Sequence, residues 1–366
     1  MDRKLTVSTD GPALVKLAAL IIIFAGVIFA KSIVTPFLLA LFISIICVQP
    51  ISWLEKKRIP RRLALVIVIL GLLLLFSAFS FLIGGTISSF TGNLSKYNSS
   101  LTDIGNSFIK YLNDKGLNIP MDQIANLIHP EKILQYTATA MTALLNMMGT
   151  LFIIFLITLF TLTEYWSFPV KAKVILAESG ESISYFSTIL QNIRHYLGIK
   201  TIMSLSIGVL IYLALQIIGV EYPLLWALIG GLMNYIPNIG SIISTIPTVL
   251  FALIQLGLGG ALWTLLATLL IHNVLGNFIE PRIMGRGLGL STLVVFVSLL
   301  FWGFILGPVG MFLSVPMTMS IKIVLEQNEK TKWIAILLGT PSESKTYLQI
   351  IKLAEEKQKK SNTKDN

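Results

Sequence analysis

Over residues 201–321 the chain carries only four charged side chains, Glu221, Glu280, Arg282 and Arg286, yet it is rich in Gly, Pro, Asn and Ser. A helix rises about 1.5 Å per residue, so a hydrocarbon core of about 30 Å takes about 20 apolar residues to cross. Against that ruler the apolar block 224–256 is too long for one ordinary span, and it is interrupted at its middle by Asn234-Tyr235-Ile236-Pro237-Asn238-Ile239-Gly240-Ser241. The block 290–321 is over-long in the same way and is interrupted at Gly303 and at Gly307-Pro308-Val309-Gly310. Each block therefore reads as two short helical arms joined by a non-helical tip.

The rest of the chain agrees with a membrane setting. With 54% hydrophobic and 13% charged residues and a mean hydropathy of +0.80, the composition lies outside the range of soluble domains. The net charge of +10 would suggest nucleic acid in a soluble protein. Here the basic residues cluster between apolar runs, where they set orientation, and a nucleic-acid partner is excluded. The single cysteine, Cys47, sits inside an apolar run and reads as a core filler, with no disulfide and no CxxC site to build. The first apolar run is long for a signal peptide, lacks a small-x-small cleavage site and is followed at once by another, so it is expected to stay as a span.

The first two blocks, 14–30 and 33–53, predict a tight pair of spans turning at Lys31 and Ser32. The loop Glu55-Lys56-Lys57-Arg58-Ile59-Pro60-Arg61-Arg62 then holds five basic residues and should face the cytoplasm, placing the N-terminus inside as well. A third span, 63–83, leads to an external segment, 86–146, in which four lysines balance four acids. Within it Leu94, Tyr97, Leu101, Ile104, Phe108 and Tyr111 recur at steps of three and four, the seam of an amphipathic helix. The fourth span, 143–162, returns inside. In the cytoplasmic stretch 164–200 a second amphipathic helix carries Ile183, Phe186, Leu190, Ile193 and Leu197 on one stripe. Arg194 and Lys200 flank it, as suits a helix at anionic head groups, and His195 reads as polar surface.

A fifth span, 201–219, runs outward to Glu221-Tyr222-Pro223, and a sixth, 261–279, runs inward to Glu280-Pro281-Arg282 and Arg286. If both over-long blocks are re-entrant, the first dips in from outside, the second from inside, and every basic loop is cytoplasmic, as is the lysine-rich C-terminus. The expected fold is all-α, with about six full spans, two opposed re-entrant hairpins and amphipathic interfacial helices. Residues 1–200 would form a scaffold that also mediates oligomerisation, 201–325 the transport region and 326–366 a cytoplasmic tail. Span plus hairpin followed by span plus opposite hairpin is the organisation of an inverted repeat.

Non-helical backbone at membrane depth survives only where protein buries it or a wet cavity meets it. The tips are thus the expected solute contacts: Asn234, Pro237, Asn238, Gly240 and Ser241 in the first, Gly307, Pro308 and Gly310 in the second. Their amide and hydroxyl groups suit a hydroxylated or carbonyl-bearing solute. The sixth span adds Asn273 and Asn277, one turn apart, beside a row of His272, Gly276 and Glu280. Ionisable groups within a span face cavities as a rule, which makes His272 and Glu280 candidates for ion coupling, with Glu280 alternatively pairing Arg282. No HExxH, GxSxG, paired intramembrane aspartates or ATP-binding motif occurs, so an enzyme, a metal and a cofactor are not expected.

The order Pro237-Asn238-Ile239-Gly240-Ser241, Glu280-Pro281-Arg282-Ile283-Met284-Gly285, Gly307-Pro308-Val309-Gly310 and then Pro316 resembles the autoinducer-2 exporter family of permeases. The likeness covers most of the chain. It implies a homopentamer in the bacterial inner membrane with paired helical hairpins at the solute site and an elevator-type movement within each subunit. Some relatives are instead assigned as sodium/proton or lithium/proton antiporters. The expected function is export of a small polar solute such as autoinducer-2, the alternative a cation/proton antiporter using Glu280 and His272.

Overall fold

A computed structural model of the chain describes residues 13–93, 149–168, 184–284 and 289–341, together with 96, 97, 99, 110, 114, 139, 170, 171, 174, 344, 345, 348 and 349. Every element among them is helical. In chain order these are α1 (Ala13–Phe29), α2 (Lys31–Lys56), α3 (Arg61–Gly92), α4 (Gly149–Glu164), α5 (Ser184–Ile218), α6 (Pro223–Met233) and α7 (Ile239–His272). A π-helical segment (Asn273–Ile279) then leads to α8 (Glu280–Met284), α9 (Thr292–Leu306), α10 (Pro308–Glu326) and α11 (Lys332–Leu338). The expected external seam from Leu94 to Tyr111 lies outside the described residues except for Tyr97, as do Ile183, Gly285, Arg286 and the end of the tail.

Five of the described helices are long and apolar enough to cross a membrane: Lys31–Lys56, Arg61–Thr86, Ser187–Ile218, Ile239–Met284 and Pro308–Glu326. Their outer surfaces are crowded with exposed Leu, Ile, Val and Phe, a covering that water would not tolerate over such an area. The chain is an all-helical membrane protein.

Two expectations need correction. Only Ala30 separates α1 from α2, at φ −88° and ψ 9°, and i to i−4 hydrogen bonds run into it from Gly26 and out of it to Val34. One nearly helical residue bends a helix and cannot reverse it, so this junction is a kink and not a tight turn; α1 lays Phe24 edge-on against Phe301 of α9. The cytoplasmic amphipathic helix and the fifth span are likewise one continuous helix of 35 residues, α5. Lys200 therefore lies inside the protein at 4% exposure and not among head groups. Arg194 donates to the Tyr165 hydroxyl at 2.9 Å, and His195 is exposed as expected.

The C-terminal half is built from two antiparallel helix pairs. In the first, α6 and the part of α7 before Gly257 lie side by side: Trp226 and Tyr222 both face Phe251, at ring distances of 5.4 and 5.7 Å. Gln255 closes the open end, accepting from the Glu221 amide at 2.6 Å and donating to the Gly219 carbonyl at 3.1 Å. Gly257, at φ 73° and ψ −167°, then turns the chain into the second part of α7. In the second pair, α9 and α10 are joined at Gly307, at φ 72° and ψ −153°. Trp302 Nε1 donates to Thr318 at 3.0 Å, and Thr318 donates to Ser298 at 2.9 Å. The open end is closed by Lys322, whose ammonium donates to the Gly289 carbonyl at 2.6 Å.

Small residues set how closely these helices approach. A Cβ at Gly231 would lie 2.9 Å from the Ser204 carbonyl, and one at Gly208 3.3 Å from the Ala227 carbonyl. Ser204 and Gly208 on α5 thus face Ala227 and Gly231 on α6 through a small-xxx-small contact, the arrangement that lets helix backbones touch in lipid. Gly230 and Gly231 are packing positions on this reading. On the same flank Tyr97, 1% exposed, donates to Glu221 Oε2 at 2.5 Å. Burial and the neighbouring carboxylate hold its phenol above the ordinary tyrosine range.

The tips depend on two further glycines. A Cβ at Gly240 would stand 1.8 Å from the Met233 carbonyl oxygen, and one at Gly310 1.9 Å from the Trp302 carbonyl oxygen. Gly240→Ala and Gly310→Ala should each lower the stability of the detergent-purified protein by about 1–3 kcal/mol through overpacking. Gly71→Ala, where nothing lies within 4 Å, should leave it unchanged. Thermal unfolding of the three variants checks this, and equal midpoints for all three would contradict the close packing of the arms.

Candidate functional site

The two tips meet. Tyr235, in the first tip, stacks on Phe312, one turn into α10, with ring centroids 4.4 Å apart and planes inclined by 24°. The Tyr235 hydroxyl shares a hydrogen bond of 2.7 Å with Thr201 Oγ1 on α5. Beside it Asn234 is buried and donates to Ser204 at 3.1 Å. Asn238 is exposed and has φ 61°, a left-handed setting that asparagine tolerates better than most side chains. Ser241 donates to the Asn238 carbonyl at 3.2 Å, tightening the start of α7. Pro237, Gly307 and Pro308 lie at the rims of the tips, while Gly240 and Gly310 are buried between the arms. The structure thus joins the two tips through Tyr235 and Phe312.

It separates the expected polar face of the sixth span into two. Asn277 donates to Asn273 Oδ1 at 2.8 Å, Asn273 donates to the Leu269 carbonyl at 2.8 Å, and both are exposed. His272 and Glu280 are buried. In an unbroken α-helix residues eight apart sit about 80° apart around the axis. The wider π segment changes that relation, and π segments recur at functional sites. His272 Nε2 lies 3.4 Å from the Ser244 hydroxyl, joining the sixth span to the first pair.

Glu280 does not pair Arg282. Its Oε1 receives the Lys200 ammonium at 2.5 Å, from 80 positions earlier in the chain. Both side chains are buried, and Lys200 is also within electrostatic reach of His272. Lys200 thus balances one oxygen of the carboxylate that the antiporter reading assigns to a cation, and gives that reading no support. Behind the pair, one turn back on α5, Tyr196 is 3% exposed. Among the described residues neither the Tyr196 hydroxyl nor Glu280 Oε2 has a hydrogen-bond partner. A buried polar atom left unpaired costs about 1–3 kcal/mol, more when charged.

Comparison with known proteins decides the family. The sequence profile of the AI-2E family transporter matches residues 17–330. The chain belongs to the AI-2E family of transporters. It is 38% identical over 329 residues to the AI-2 transport protein TqsA of Escherichia coli strain K12, covering 89% of this chain and 94% of that one. It is 35% identical over 335 residues to YhhT of the same strain, whose name gives transport but no solute, covering 92% and 96%. A Haemophilus influenzae transport protein is 38% identical over 334 residues, covering 89% and 95%. This AI-2E family member is a transport protein and not an enzyme.

Sequence reasoning missed Lys200, Tyr196, Thr201 and Tyr235. The signal for Lys200 was available: it is the last cation before a long apolar stretch, and α5 continues through it without a break. Removing one partner of a buried ion pair leaves a bare charge, so Lys200→Met should destabilise the protein by about 3–5 kcal/mol. The double variant Lys200→Met/Glu280→Leu should recover most of the loss, because neither charge remains. Thermal unfolding of the single and double variants measures this; additive losses would show that the pair is not what holds α5 to α8.

Proposed function

We propose that this chain exports a small polar solute, with autoinducer-2 as the first to test, across the bacterial inner membrane. In this reading the two antiparallel pairs are re-entrant hairpins, the first entered from outside and the second from the cytoplasm, with both termini cytoplasmic. The observation that carries the reading is the stacking of Tyr235 on Phe312, which joins two non-helical tips. Two interrupted helices meeting inside an apolar protein give a solute backbone amides, the Asn238 side chain and the Ser241 hydroxyl, while the arms seal it from lipid. The name of TqsA, an AI-2 transport protein, supports the choice of solute.

Residues 1–200 serve as scaffold, 201–325 as transport region and 326–366 as tail. Helix α5 straddles the first boundary and carries the first pair on its outer half, held by the backbone-close contact of Gly208 and Gly231. An elevator-like movement would carry the tips past the cluster formed by α2, α3 and α4, whose core is Cys47, Ile51, Ala64 and Leu162. The mostly unburied apolar surface of α3 suits a contact between subunits of a homopentamer. Quorum signalling would be the role of such an exporter.

Proteoliposomes loaded with AI-2 test the reading. Asn238→Gly removes the side-chain amide but keeps the backbone free to adopt φ 61°. It should cut AI-2 efflux by about tenfold, as expected for a lost hydrogen bond worth about 1.4 kcal/mol. Native rates in both Asn238→Gly and Ser241→Ala would contradict a solute site at the first tip.

A further inference from the structure

We propose that Tyr196, Lys200 and Glu280 form a hydroxyl-binding subsite for the transported solute, set directly behind the first tip. The proposal rests on the transport reading and extends it to residues on α5 and α8. Tyr196 and Lys200 are four positions apart on α5, hence on one face, and both are buried, at 3% and 4% exposure. Glu280, 8% exposed, meets that face through Oε1. Its Oε2 and the Tyr196 hydroxyl are the two polar atoms here with no hydrogen-bond partner among the described residues. Tyr196 is one turn before Lys200 and the tip is fastened one residue after it, so the ion pair and the tip are both held by this stretch of α5. The tip itself is fastened to the same helix by the Tyr235 to Thr201 bond, next in sequence to Lys200.

The chemistry of the open positions defines the ligand class. A carboxylate oxygen accepts only, and it binds a hydroxyl donor strongly because the bond is charge-assisted. The phenol of Tyr196 can donate to a second hydroxyl or to a carbonyl oxygen. Lys200 balances Glu280, leaving the site without net charge. A neutral solute bearing adjacent hydroxyls, or a hydroxyl beside a carbonyl, fits both positions. A carboxylate would be repelled by Glu280, and a metal cation by Lys200. Release of the Tyr235 to Thr201 bond as the tip moves would expose this face to a solute already held by Asn238. The buried pair is then a specificity element.

The test uses the full chain in proteoliposomes with AI-2 as the probe. Tyr196→Phe keeps the ring and removes only an unpaired hydroxyl, so the thermal midpoint should not fall and should rise if the position is empty of solute. The KM for AI-2 should rise about tenfold, the equivalent of one hydrogen bond, with the maximal rate within about twofold. On the native protein an AI-2 analogue lacking one hydroxyl should show the same penalty, and Tyr196→Phe should add nothing to it, as coupled partners require. A native KM in Tyr196→Phe, or two penalties that multiply, would overturn the subsite. Loss of flux in Asn238→Gly alongside a native Tyr196→Phe would do so while leaving the tip reading in place. Absence of AI-2 efflux from the native chain would overturn both.

Discussion

A helix interrupted inside hydrocarbon exposes amide and carbonyl groups that no water reaches, each costing several kcal/mol if left unpaired. The C-terminal half of this protein is organised around closing two such interruptions. At each, a residue with positive φ turns the chain, Asn238 in the first and Gly307 in the second, and a glycine a few positions on lets one arm rest on the carbonyl of the other. The open ends are tied by one polar side chain each, Gln255 and Lys322, reaching backbone groups of the opposite arm. The two pairs reach the same solution with different residues.

Once the arms are closed, their remaining polarity must be placed. Tyr235 couples the tips to each other through Phe312 and to α5 through Thr201. Asn234 is spent on Ser204, whereas Asn238 remains exposed. The Lys200 and Glu280 pair is held by the same helix, one residue before Thr201, and His272 joins the sixth span to the first pair through Ser244. Such a pair is weak as a stabiliser, since desolvation consumes much of its attraction. Its own free Glu280 oxygen and the unpaired Tyr196 hydroxyl are the atoms on which the proposed solute subsite rests.

Much of this was legible in the sequence because the signals were local. The lengths of the blocks 224–256 and 290–321, and the Pro, Gly and Asn at their centres, located both interruptions within a residue or two of where the helices break. Two kinds of information were not local. Whether two helices run on as one depends on a single junction: Ala30 and the segment around Lys200 both look like boundaries in charge pattern, yet the backbone stays helical through each or nearly so. Partners distant in sequence were equally hidden. Glu280 seemed to face Arg282, two residues on, because nothing along the chain announces that Lys200 lies against it. The division of the sixth span into an exposed Asn273 and Asn277 face and a buried His272 and Glu280 face follows from a π segment that periodicity arguments do not anticipate.

In the proposed topology the two pairs enter the membrane from opposite sides and meet at their tips. Single cysteines placed on a Cys47→Ser background, probed in whole cells with a membrane-impermeant thiol reagent, address it directly. Leu258→Cys, at the exposed turn that follows the first pair, should react from outside. Gln327→Cys, at the end of the second pair, should react only after the cells are permeabilised. Protection of Leu258→Cys in intact cells, with labelling on permeabilisation, would mean that the first pair crosses the bilayer and that the tips do not form a common site.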